Sequence, residues 1–294
     1  MFVKSLFSVC YSDGVPGELR IGEVSRRTDV APELLRAWER RYGLLRPARS
    51  EGGYRLYSEG DVNRVRAMQA HLSAGVSAAE AARLALEAPP VQSAGRTAGL
   101  LAAIRSALDS FDGATAHAVF DEALSALTLD TVLSEIVLPY LAELGARWAR
   151  GEASVAQEHF ASSLLRGRLL GLARGWDHGA GRRAVLACAP GELHDLPLIV
   201  FGLALRERGW RITFLGADTP IETLVEAGRV VRPQLVVISA STPGRLVDAT
   251  GELRRLARTT RLALAGPGAA GLKVQAVRLE DDPVTEAGRV SREP

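Results

Sequence analysis

The sequence predicts a multi-domain α and α/β chain. It comprises an N-terminal winged helix-turn-helix, a central four-helix bundle and a C-terminal doubly wound parallel (flavodoxin-like) α/β domain. Three observations carry this. Between residues 32 and 57 an arginine-bearing amphipathic helix pattern leads into a hairpin pattern with two glycines at its tip. Residues 97–175 keep a helical hydrophobic period throughout. After Gly181 that period gives way to short apolar runs separated by helical segments, the pattern of a parallel sheet buried on both faces. At 294 residues the chain is long enough for two or three separate cores.

Residues 1–17, with Gly14, Pro16 and Gly17, read as a flexible leader. The winged domain is expected over residues 18–88, opening with Ile21, Val24 and Val30 on a short helix. Pro32 suits the first position of a second helix, because its missing N–H needs no partner there. Leu34, Leu35, Trp38 and Tyr42 form one apolar stripe on it, Arg36, Arg40 and Arg41 face outwards, and Gly43 ends it. Residues 49–57, tipped by Gly52-Gly53, read as the wing. Ser58 with Asp61 resembles a capping box, followed by the apolar face Val62, Val65, Met68 and Leu72. Ser77 with Glu80 caps a fourth helix, which Pro89-Pro90 stops, and residues 89–96 read as a linker.

The bundle is expected over residues 97–178, from the faces Leu100, Leu101, Ile104, Leu108; Val119, Ala123, Leu127; Val132, Ile136, Leu141, Leu144; and Leu164, Leu165, Leu169, Leu170. The α/β domain, residues 182–290, has apolar runs at 184–188, 211–215, 235–239 and 262–265. Ligands on such sheets sit at the carboxyl ends of strands, which singles out loops 190–197, 216–220, 239–243 and 266–268.

Net charge is only +2, yet residues 36–66 hold eight arginines against four acids, a local patch suited to phosphate. Cys10 and Cys188 stand far apart without a motif, and the five histidines show no zinc spacing. No nucleophile–base–acid set and no phosphate-binding glycine–lysine loop is visible, so no enzyme activity is expected. The first residues lack a signal-peptide core, and no run approaches the ~18 apolar residues that span a bilayer. A cytoplasmic protein without a membrane partner is expected.

Over about seventy residues the front of the chain resembles the MerR family of transcriptional regulators. The residues that carry this are Arg20-Ile21-Gly22-Glu23-Val24, Leu35-Arg36-Ala37-Trp38-Glu39 and Tyr54-Arg55-Leu56-Tyr57. The resemblance implies a homodimer on an inverted repeat in double-stranded DNA. Contacts would come from Arg36, Arg40 and Arg41 on the helix and from Arg49, Tyr54 and Arg55 on the wing. Arginine offers bidentate contacts to guanine or phosphate, and a tyrosine hydroxyl can donate to a phosphate oxygen.

The other half resembles the cobalamin-binding module shared by corrinoid proteins and by cobalamin-dependent MerR-type photoreceptors of the CarH/LitR kind. The phrase Pro190-Gly191-Glu192-Leu193-His194-Asp195-Leu196 carries it, with Gly216-Ala217-Asp218-Thr219-Pro220 as the second loop. The resemblance implies that His194 is the metal ligand beneath cobalt, oriented by Glu192, with Asp218, Thr219, Ser239 and Gly266 around the cofactor. Trp148, followed by Glu158 and His159 at the family's spacing, would line the upper face. The implied cofactor is a cobalamin, in its adenosyl form, and the implied assembly a dimer or a cofactor-dependent tetramer. The chain departs from the family at Pro197, Ser241 and Ala265. Ala149 stands where photoreceptor members carry a histidine. Two further readings remain open from the residues: a cobalamin-independent regulator that keeps the domain for oligomerisation or partner binding, and a corrinoid methyl-carrier subunit. The second explains His194 but gives no work to Arg36, Arg40 and the wing.

Overall fold

The computed structural model describes residues 19–49, 53–73, 75–87 and 90–293. The leader, Cys10, Gly52 and Pro89 lie outside the described residues. The chain divides between Gly99 and Leu100 into two compact units.

In the first unit, α1 (Ile21–Thr28) ends on Asp29 in the left-handed region, so Val30 packs from the turn beyond the helix rather than from the helix itself. Next, α2 (Pro32–Tyr42) opens with Pro32 and closes on Gly43, at φ 63°, whose N–H donates to the Glu39 carbonyl at 3.0 Å. A left-handed residue here satisfies the last turn's carbonyls, and glycine adopts it without strain. Leu35 and Trp38 are buried, each contributing about 2 kcal/mol by area. Leu34 is 44 % exposed and leaves the predicted stripe, because each helical step turns ~100° and carries it off the core side. The wing pairs β1 (Ala48–Arg49) antiparallel to β2 (Arg55–Leu56), with Arg49 opposite Arg55 and Tyr57 bridged to Leu19.

Two helices complete the unit, α3 (Glu59–Ser73) and α4 (Ala78–Glu87). Buried Asp61 accepts from Ser58 N and Oγ, both at 2.8 Å, and from Arg46 N at 2.7 Å, while Asp61 N donates back to Ser58 Oγ. Burial pushes its carboxyl up, but these donors and Arg64 hold it below the usual range. Arg64 also donates to the Leu44 carbonyl, so it belongs to the fold rather than to the basic patch.

The helix α5 (Pro90–Asp109) begins at Pro90, so the predicted linker is helical from there on. A proline that cannot continue one helix can start the next, since the first turn needs no N–H. With α6 (Gly113–Ala126), α7 (Leu129–Val132), α8 (Leu138–Ala149) and α9 (Val155–Leu172) it forms the bundle. Residues 133–137 link α7 to α8 as a π-turn, with Leu138 N donating to Leu133 O. Pro139, in the first turn of α8, cannot donate to a carbonyl four residues back, and the register slips there by one residue.

The α/β part alternates β3 (Arg183–Cys188), α10 (Leu196–Glu207), β4 (Arg211–Gly216), α11 (Ile221–Val231), β5 (Leu235–Ser239), α12 (Thr250–Ala257), β6 (Arg261–Ala265), β7 (Val277–Leu279) and α13 (Pro283–Arg292). The sheet is wholly parallel in the order β4-β3-β5-β6-β7, the doubly wound arrangement predicted. Ala184, Leu186 and Cys188 pack with α10, and that core is continuous with Leu165 and Leu169 of α9. The alternate residues Val185, Ala187 and Ala189 pack against α11 and α12. Among the described residues no helix is long and apolar enough to cross a membrane.

Candidate functional site

On the winged unit, Arg36, Arg40 and Arg41 are exposed along α2, as predicted. Tyr54 is exposed in the wing, with the Arg20 guanidinium stacked 4.9 Å from its ring centroid. The Arg49 backbone lies in β1; its side chain is outside the described set. Arg55 is not freely extended: its Nε donates to Glu39 Oε1 at 3.0 Å, and the Tyr57 hydroxyl donates to Glu39 Oε2, also at 3.0 Å. Burial, then Glu39, pushes the Tyr57 phenol up to about 12, so it remains a donor. Glu39 thus ties the arginine helix to the wing.

At the α/β part the strand order reverses at β3, with β4 added on one side and β5 on the other, and the loops leaving β3 and β5 diverge from this switch point. The loop after β3 carries Glu192, buried, and His194, half-buried. Glu192 Oε1 accepts from His194 Nδ1 at 2.6 Å and His194 N at 3.1 Å; Oε2 accepts from Ser241 N at 2.7 Å and from the Ser241 hydroxyl. Burial pushes this carboxyl up, but the donors from His194 and Ser241 outweigh it and hold it at about 2. A fixed carboxylate keeps the proton on Nδ1 and leaves Nε2 with its lone pair. Nε2 has no hydrogen-bond partner among the described residues. An imidazole held so, at the carboxyl edge of the sheet, has the donor chemistry that cobalt takes.

The other predicted residues of this edge divide into two groups. Asp218, at φ 48°, binds the loop itself: its Oδ1 accepts from Gly191 N at 2.6 Å, and its N–H donates to the Glu192 carbonyl at 2.8 Å. Buried Thr219 donates from its N–H to the Cys188 carbonyl at 3.1 Å. Gly266, at φ 82°, has no room for a side chain, because a Cβ would lie 2.6 Å from the Ala240 carbonyl oxygen. The Ser239 carbonyl accepts from Ala189 N, and its hydroxyl is without a partner among the described residues. Pro197 sits in the first turn of α10, where it costs no hydrogen bond.

Trp148 ends α8 half-buried against the bundle core, and Glu158 and His159 lie in the opening turns of α9 across the Gly151 turn. His159 Nε2 approaches Glu158 Oε2 at 3.5 Å, and His159 is largely exposed. Seven residues on, hence on the same helical face, Arg166 makes a bidentate pair with buried Asp195, at 2.8 to 3.0 Å. This ties α9 to the residue next to His194. Buried Cys188 donates weakly to the His194 carbonyl at 3.7 Å, its thiol pushed up to about 12 by burial and then by Asp195 and Glu192. Sequence reasoning missed Ser241, Arg166 and Asp195 as supports of the loop.

Fold and site together define a winged-helix DNA-binding regulator carrying a corrinoid-binding module. Residues 19–87 match the MerR HTH family of regulatory proteins, and residues 100–170 and 182–289 match two B12 binding domains. The chain is 36% identical over 249 residues to the HTH-type transcriptional repressor CarH of Myxococcus xanthus, covering 81% of this chain and 83% of that one. It is 35% identical over 257 residues to the repressor CarA of the same organism, covering 85% and 87%. The chain belongs to the family of these cobalamin-module MerR-type transcriptional regulators. In fold, the chain is similar to the monomethylamine corrinoid protein of Methanosarcina barkeri, with TM-score 0.51 and 18% identity, covering 64% of this chain and 94% of that one.

Proposed function

We propose that the chain is a cytoplasmic transcriptional repressor whose hold on an inverted-repeat operator follows the adenosylcobalamin bound to it. Residues 18–88 are the DNA-reading part, 97–178 the cap over the cofactor and 182–290 its base. The observation that carries this is the Glu192–His194 pair at the switch point, with Nε2 left available. His194 would be the residue that holds cobalt, and Glu192, fixed by Ser241, would orient its ring. Ser239, Gly266, Asp218 and Thr219 shape the lower surface. Trp148, Glu158 and His159 close the upper one. The Arg166–Asp195 pair makes the position of α9 depend on the His194 loop, which joins the two sides. Bound adenosylcobalamin supplies a carbon–cobalt bond that visible light can break.

Occupancy favours one homo-oligomer, a dimer or tetramer, and so sets how many winged helices engage DNA at once; this is a population shift with reciprocal linkage. Arg36, Arg40 and Arg41 supply helix contacts and Arg49, Tyr54 and Arg55 wing contacts. Ala149 provides no imidazole beside Trp148, so release does not pass through capture of the metal by that position. No catalytic set is proposed.

The test is a gel shift of full-length protein on its own promoter region, in the dark, with and without adenosylcobalamin, then after green light. Tighter binding with the cofactor and loss on illumination support the reading. Equal binding in all three arms favours the regulator that works without cobalamin.

A further inference from the structure

Opposite the His194 loop, the amino-terminal edge of the sheet concentrates arginine. Arg183 begins β3, Arg211 begins β4 and Arg261 begins β6, with Arg182 just before β3. Register places Arg183 directly opposite Arg211, a like-charge pair that costs stability unless something offsets it. Two of these arginines have a structural task. Arg182 donates to the Ser291 and Glu293 carbonyls at the end of α13 and stacks on Trp210 at 4.2 Å; Arg261 reaches the same carboxyl end. Arg183 and Arg211 do not. Arg211 commits only its Nε, to the Asp177 carbonyl at 2.7 Å, and the Arg183 guanidinium has no partner among the described residues. Among those residues neither pairs with a carboxylate. Burial and then the charges of Arg182 and Arg289 hold the Arg261 guanidinium below its usual range, and its Nη2 is paired with the Glu293 carboxylate, so the charge left without a carboxylate on this edge is that of Arg183 and Arg211.

These groups line a cleft of about 460 Å³, formed by Ala180, Gly181, Arg182, Arg183, Arg211 and Gln234. Gln234 is fixed there, its Oε1 accepting from Arg183 N at 2.7 Å and its own N–H donating to the Arg183 carbonyl at 2.9 Å. The volume suits a small molecule. The Arg183 guanidinium and the two terminal nitrogens of Arg211, beside the fixed positive charge of Arg182, match the oxygens of a multiply charged phosphate better than a single carboxylate. We propose that this cleft is a second ligand site, for a small phosphate-bearing anion, on the sheet edge away from the corrinoid. It stands independently of the cofactor reading.

The test is hydrogen exchange of the full-length protein at low salt, with inorganic tripolyphosphate as the probe. Exchange should slow across residues 180–183 and 210–212, and the R183Q/R211Q variant should reach the same slowing only at tenfold more anion or above. Unfolding midpoints measured alongside establish that the variant is folded. A short duplex of unrelated sequence forms the second arm. Slowing by tripolyphosphate alone assigns a small phosphate ligand, whereas equal slowing by the duplex assigns the same chemistry to a DNA backbone and overturns the small-molecule assignment. No slowing in the wild-type protein, or the same slowing in the variant at the same anion concentration, overturns the site.

Discussion

Replacing Glu192 by glutamine keeps the shape of the side chain and removes its charge. One oxygen receives two bonds from His194 and the other two from Ser241. Glutamine turns one of these acceptors into an NH2 group, so whichever way it lies, a backbone N–H of His194 or Ser241 faces another donor. A buried donor left unpaired costs about 1–3 kcal/mol, and the lost charge assistance adds to it. We expect the variant to be about 3 kcal/mol less stable. If the NH2 faces His194, the ring must accept at Nδ1, which moves its proton to Nε2 and removes the lone pair that the proposed cobalt ligation would use. Outer partners of metal-ligating histidines are commonly worth about 10–100-fold in affinity, so weakening in that range is expected. Urea unfolding at pH 7 and a cobalamin titration followed by absorbance read both effects. A variant within about 0.5 kcal/mol of the wild type, with an unaltered histidine-ligated spectrum, refutes the reasoning.

Three other outcomes follow from the same geometry. The Glu192 carboxyl sits at about 2 when folded against 4.5 ordinarily, a depressed value, so its contribution is complete above pH 4.5 and disappears as pH falls towards 2. Integrated, that is about 3 kcal/mol, and the stability gap between wild type and Glu192→Gln should narrow across this window; a constant gap contradicts it. Gly266→Ala forces a Cβ to within 2.6 Å of the Ala240 oxygen at φ 82° and should cost about 3 kcal/mol in denaturant unfolding, whereas an unchanged midpoint argues against the close approach. Glu39→Gln loosens Arg55 from α2 and weakens a bond to the buried Tyr57 hydroxyl; operator affinity should fall about tenfold, equivalent to about 1.4 kcal/mol, with no change in the cobalamin spectrum. Unchanged affinity in a fluorescence anisotropy titration counts against Glu39 as the link between helix and wing.

What was legible in the sequence was local. Pro32 and Gly43 bound α2 by their own backbone preferences, and Ser58 with Asp61 closes a capping box three residues apart. Glu192 and His194, two residues apart in one loop, likewise stand where a short-range pattern shows them. The supports of that loop are long-range: Ser241 is 49 residues from Glu192, and Asp195 is 29 from Arg166. Nothing in the run Ser239-Ala240-Ser241 says that the serine beyond the strand end, rather than the one within it, reaches the carboxylate. Pro90 is ambiguous by nature, since a proline can follow one helix or open another. The π-turn left a trace, the five-residue step from Ile136 to Leu141, that a strict helical period passes over. The three residues of β7 are too few for a periodic signal.

The most direct test of the central claim is the absorption spectrum of full-length protein desalted after incubation in the dark with adenosylcobalamin, beside His194→Ala. The wild type is expected to retain cobalamin with a histidine-ligated spectrum, and the variant to lose that signature while unfolding at a similar denaturant concentration. Retention by both proteins with the same spectrum, or by neither, contradicts the assignment of His194 as the cobalt ligand.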